Sequence, residues 1–102
     1  MYQIQPRTIQ IASKLGVKVV ASEDSKYKID VLDWYGNYIT SIGARTYKDY
    51  PSYLKMEKDG EIPKGYADKR RELYWKRHGK EIDKLGDDWE GSRSYYSFLL
   101  LW

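Results

Sequence analysis

Cysteine is absent from this 102-residue chain, histidine and phenylalanine occur once each, and proline occurs three times. Without thiols there are no disulfides and no thiolate metal sites, and the fold needs no oxidising compartment. His78, the lone histidine, leaves a zinc site of the usual ligand types without its partners. No apolar run reaches the about 18 residues of a membrane span, so no membrane partner is expected. The opening MYQIQPRTIQIASKLG interrupts its apolar positions with polar ones and does not read as a signal peptide. A soluble protein made in a reducing cytosol is expected.

An excess of one charge sign is nearly missing too. Eighteen basic residues face 15 acidic ones, a net charge of +3. That allows contact with nucleic acid without demanding it. Enzyme motifs are also lacking. No G-x-S-x-G elbow and no phosphate-binding G-x-x-x-x-G-K-[ST] occurs. Asp87, Asp88 and Glu90 read as a solvated loop, and Asp30, Asp33 and Asp49 carry no spacing specific to a metal-dependent nuclease. The expectation is a protein with no catalytic residue, no metal and no cofactor.

Tyrosine and tryptophan are abundant, eleven and four. A core leaning on them needs partners for their polar atoms, so its edges should be wired by Tyr hydroxyls and Arg. The chain length fits one domain, 1–102. Met1 to Gln5 reads as an extended arm, and Pro6 to Leu15 as a short helix stopped by Gly16. Val17 to Ala21 is a β-branched run. Lys26 to Asp33 alternates, with Tyr27, Ile29 and Val31 on one side and Lys28, Asp30 and Leu32 on the other. A turn at Tyr35-Gly36-Asn37 and a strand from Tyr38 to Ile42 complete a hairpin over 27–42, which Gly43 lets the backbone leave. Asp49 or Tyr50 precedes a short helix opened by Pro51, and Glu57 to Lys64 reads as an exposed loop. GDDWEG (86–91) is a second polar loop, and Ser92 offers an N-cap for a final helix whose inward face is Tyr95, Phe98, Leu99 and Trp102. The fold class is therefore α+β: a small antiparallel sheet of about three strands packed with an N-terminal, a basic and a C-terminal helix.

The basic helix organises the rest. GYADKRRELYWKRH (65–78) holds five of the basic residues and the histidine, and its good helix formers predict a helix over 66–81. Lys69, Arg70, Arg71, Lys76 and Arg77, with Tyr74 among them, are the candidates for contact with a partner or with phosphate, because the guanidinium fork suits carboxylate and phosphate alike. Some should instead pair within the fold: Glu72 with Lys76, and Asp68 with Arg71. His78, Leu99, Trp102, Tyr47 and Tyr50 are expected to serve the structure, His78 from the C-terminal half of a helix or by a hydrogen bond to a Tyr or a main-chain carbonyl, and Leu99 and Trp102 by docking near Leu73 and Tyr74.

The stretches LGVKVVAS, KIDVLD, SIGARTYKDYPSYLK, YADKRRELYWKRH and the closing LLW resemble a family of small, mostly uncharacterised proteins encoded by nucleocytoplasmic large DNA viruses and tailed phages. The resemblance runs from about Pro6 to Trp102 and is most specific in IGARTYKDYP, YADKRRELYWKRH and Leu100-Leu101-Trp102. The loop EKDGEIPKG and the approach GSRSYYSFL depart from its pattern. The resemblance implies a viral origin, most naturally a tailed phage, and no catalytic residues. It implies an accessory protein of the virion, made in the host cytoplasm, that binds viral structural proteins of the capsid or portal vertex through a Tyr/Trp/Arg-rich surface. Two alternatives remain. One is a nucleic-acid-binding regulator of infection using the basic helix; the other is an inhibitor of a host factor.

Overall fold

The computed structural model describes residues 2–102, so Met1 of the expected arm lies outside the described residues. The fold is α+β. Helix α1 (Pro6–Leu15) opens on proline, whose missing N–H costs nothing in a first turn, and closes on Gly16 in the left-handed conformation at φ 76°. Strands β1 (Lys18–Ala21), β2 (Tyr27–Leu32) and β3 (Tyr38–Ala44) form an antiparallel sheet in the order β1-β2-β3. The β2–β3 turn is built by Asp33. Its carboxylate accepts from the main-chain N–H groups of Tyr35 and Asn37 at 2.9 and 2.8 Å and from the Asn37 side chain at 3.0 Å. These donors, Asn37's foremost, hold the Asp33 carboxyl below the usual carboxylate range.

Ile29 and Ile42 face each other across β2 and β3, and with Val31 they lose all exposure to solvent. Ala12 of α1, Val17, and Tyr96, Leu100 and Leu101 of the last helix close over them. That helix, α4 (Arg93–Leu101), starts where the Ser92 hydroxyl accepts from the Tyr95 N–H. The Thr8 hydroxyl donates to the Leu100 carbonyl at 3.0 Å and ties α1 to the end of α4.

Several sequence-based expectations are corrected here. The buried positions of α4 are Tyr96, Leu100 and Leu101; of the residues expected to face inward, Tyr95 and Trp102 pack half-buried against the core, and Phe98 and Leu99 lie at its margin. Leu99 is half-buried, and Leu73 is 48% exposed instead of receiving it. The reason is that α4 packs on β3 and α1, which rotates its inward face by about one residue. Gly43 does not release the chain from the sheet but sits inside β3, at φ 76°. A Cβ there would lie 2.7 Å from Leu101 Cδ1, so the glycine is what lets α4 approach. The outer side of β2 is not simply solvated: Lys28 is buried, while Asp30 accepts from Ser41 Oγ at 2.6 Å.

Helix α2 (Tyr50–Lys58) is capped by Asp49, whose carboxylate accepts from the Ser52 N–H at 2.9 Å. Glu57 therefore belongs to a helix, not to the exposed loop, and it accepts from the Ala67 N–H at 2.7 Å. This satisfies one of the free donors at the start of α3 (Tyr66–Leu85). Helix α3 runs four residues beyond the expected end and passes into a 3-10 turn at Gly86–Trp89, where a polar loop was expected. Trp89 meets Tyr95 and Phe98 edge-on at 5.1 and 5.8 Å, which orders that turn against α4.

Candidate functional site

Helix α3 turns Ala67, Arg71, Tyr74 and His78 toward the rest of the fold and leaves Lys69, Arg70, Leu73, Lys76 and Arg77 outside. The inward residues are held by rings. Tyr74 stacks on Trp102 with centroids 4.3 Å apart and planes 6° from parallel, and meets the His78 ring at 4.1 Å with planes tilted by 30°. Burial pushes the Tyr74 hydroxyl pKa up. His78 also reaches Glu81 at 3.4 Å. His78 lies in the C-terminal half of α3, as expected, but more than a turn before its end at Leu85, so the helix dipole contributes little there.

Arg71 is used by the fold, contrary to its place among the candidate partner contacts. Its Nε donates to the Trp102 main-chain oxygen at 2.7 Å, and its guanidinium lies over Trp75 at 4.1 Å and over Tyr50 at 4.7 Å. Arg7 lies over the same Tyr50 ring at 5.0 Å, and its Nη1 is buried without a hydrogen-bond partner. Burial and the neighbouring Arg71 lower the Arg7 pKa. Tyr50 donates to Asp68 at 2.7 Å, a bond that raises its own pKa. Asp68 is thus taken by Tyr50 rather than Arg71. Among the described residues Glu72 and Lys76 form no ion pair either, so the two expected pairings are absent.

The outward flank of α3 borders a cleft of about 430 Å³ between the helix and the β3–α2 connection. Its floor holds the Lys28–Asp49 ion pair, 3.0 Å long and shielded from solvent. The Tyr2 hydroxyl donates to the same Asp49 oxygen at 2.8 Å, and burial together with that carboxylate pushes the Tyr2 pKa up. Among the described residues Asp49 is the only Asp or Glu lining the cleft, and its charge is answered by Lys28. Lys48, Arg70 and Arg77 line it too, with no acidic partner within ion-pair distance among the described residues. Tyr47, Tyr53, Tyr74 and Trp102 supply aromatic walls. A second cleft of about 600 Å³ adjoins along α3, sharing Arg70, Tyr74, Arg77 and Trp102 and adding Lys76 and Lys80.

Of the candidate contacts, the structure brings Arg70, Tyr74, Lys76 and Arg77 to these clefts, turns Arg71 inward and leaves Lys69 outside both. Tyr47, expected to be structural, is 74% exposed and contacts no other ring among the described residues, because the connection after β3 carries it over the cleft rather than into the core. Lys28, Lys48, Asp49 and Tyr53 were not legible as site residues. Asp49 announces itself only as a helix cap before Tyr-Pro, and Lys28 is one polar member of an alternating strand. Comparison with known proteins finds no match: no family model, no curated protein and no solved structure is similar to this chain.

Proposed function

We propose that this is a non-catalytic viral accessory protein that binds an anionic partner through the clefts along α3. One observation carries the reading: Lys48, Arg70 and Arg77 line a cleft whose only acidic side chain among the described residues, Asp49, is already paired with Lys28. Cations held together without an internal counter-charge repel one another and gain from an external anion. The tyrosines and tryptophan beside them are residue types enriched at interfaces. The viral resemblance of the sequence supports a setting in the virion, against the capsid or portal vertex. The test is mass spectrometry of purified particles carrying the wild-type protein or the double variant Arg70→Glu/Arg77→Glu. Both side chains are exposed, so the variant should melt like the wild type. The expected result is wild-type protein at constant copy number per particle and loss of the variant. Equal incorporation of both would overturn the role of the cleft, and absence of the wild type from particles would overturn the setting.

A further inference from the structure

Resting on that reading of the cleft, we infer that its anionic partner is a single strand of nucleic acid, with a base against the aromatic wall and phosphates on Arg70, Arg77 and Lys48. The chemistry of the lining separates this partner from other anions. An acidic protein surface supplies carboxylates but few planar faces. A duplex supplies phosphates, yet its bases already stack on one another. A single strand supplies both groups at once, which is why proteins that bind it pair a positive groove with aromatic platforms.

Two features of the cleft match that pairing. Trp102, stacked on Tyr74 with planes 6° apart, is only half-buried and borders both clefts, so it is a preorganised ring at their junction. Tyr47 is 74% exposed on the β3–α2 connection, and neither its ring nor its hydroxyl is engaged by the fold among the described residues. An idle ring beside three unpaired cations is the arrangement a stacked base would complete. The dimensions agree: pockets for small organic ligands span about 300–1,000 Å³, and the cleft of about 430 Å³ opens along α3 into its neighbour. That gives a strand a path across Arg70 and Arg77, not a closed chamber for a free nucleotide.

Fluorescence anisotropy of the intact protein with labelled single strands, one deoxyribose and one ribose, tests the inference. A duplex of equal length and a poly-glutamate peptide serve as competitors. At least one single strand should bind roughly tenfold or more tightly than the duplex. Affinity should fall with salt at about 0.7 per phosphate contact on logarithmic axes, and Arg70→Ala/Arg77→Ala should flatten that slope by about 1.4. Tyr47→Ala should weaken binding while leaving the salt slope unchanged, a signature that a purely electrostatic site would not give. Which sugar binds better identifies the strand as DNA or RNA. Duplex binding as tight as single-strand binding, or an inert Tyr47→Ala variant, would overturn the inference. Stronger competition by poly-glutamate would overturn it in favour of an acidic protein partner and leave the proposed function standing. No binding to any of these probes would overturn both.

Discussion

Replacing Asp49 with alanine removes one acceptor from three donors in different parts of the fold. Its carboxylate receives Lys28 from β2, Tyr2 from the N-terminal arm and the Ser52 N–H at the start of α2. Lys28 and Asp49 side chains keep only 7% and 1% of their exposure, so water cannot replace the lost partner. Breaking a buried pair from one side costs about 3–5 kcal/mol, since it strands the other charge. Loss of an N-cap adds about 1 kcal/mol. The expected loss is therefore about 4–6 kcal/mol, out of a total of roughly 5–15 kcal/mol for a domain of this size. Urea unfolding measures it: the midpoint should fall sharply with little change in slope. Asp49→Asn keeps a capping acceptor and should cost less. Lys28→Met/Asp49→Ala removes both charges and should recover part of the loss, since the penalty lies in the unpaired ammonium and not in the absent bond. If the losses of Lys28→Met and Asp49→Ala, each measured alone, simply add in the double variant, or if Asp49→Ala loses under about 1 kcal/mol, the pair is not coupled as the geometry requires, and the account of the cleft floor fails.

Gly43→Ala forces a left-handed backbone at about 1–2 kcal/mol and a Cβ against Leu101 at about 1–3 kcal/mol. A melting temperature lowered by 10 °C or more, about 4–8 °C per kcal/mol, is expected, and an unchanged one would show that α4 yields easily. A chain ending at Phe98 loses Leu100 and Leu101, each essentially unexposed, along with Trp102. At about 2–5 kcal/mol per emptied leucine site, it should show no cooperative melt, whereas a tail that only anchors the protein to a partner would leave the melt intact. Tyr2, Tyr50, Tyr74 and Tyr96 all have raised pKa values in the fold. Their contribution to stability is fully present below the unfolded tyrosine value of about 10 and is lost as pH climbs through the raised values. An ultraviolet pH titration should show these hydroxyls ionising late, together with loss of structure. Ionisation of every tyrosine in one step, with circular dichroism unchanged, would contradict that.

The elements were legible wherever one local rule governed them. Pro6 and Gly16 bracket α1, alternation marks β2, Tyr35-Gly36-Asn37 spell a turn, and Ser92 caps α4. What stayed hidden depends on pairs far apart in sequence. Nothing in KYKIDVLD distinguishes Lys28, which meets Asp49 twenty-one residues later, from a solvated lysine. The inward face of α4 was misread by about one residue because FLLLW is apolar all round and offers no polar side to orient it. The composition of α3 predicts a helix over 66–81, four residues short of its end, because the stop is supplied by Gly86.

Arg70 and Arg71 show why composition alone could not locate the site. The two are adjacent and chemically identical, and both read as partner contacts. One step of about 100° around the helix sends Arg71 between Tyr50 and Trp75 and onto the Trp102 main-chain oxygen. There it fixes the last residue of the chain on α3, and with it the Trp102–Tyr74 stack. Arg70 is exposed, lies 5.9 Å from the Tyr53 ring and lines the cleft. The inward arginine thus positions the aromatic wall that the outward one borders. Arg71→Lys, which keeps the charge but loses the planar fork, should disorder that wall while leaving the cleft's cations in place. It would then lower affinity for a single strand without altering the salt slope, the same signature expected of Tyr47→Ala but reached from the opposite side of the helix.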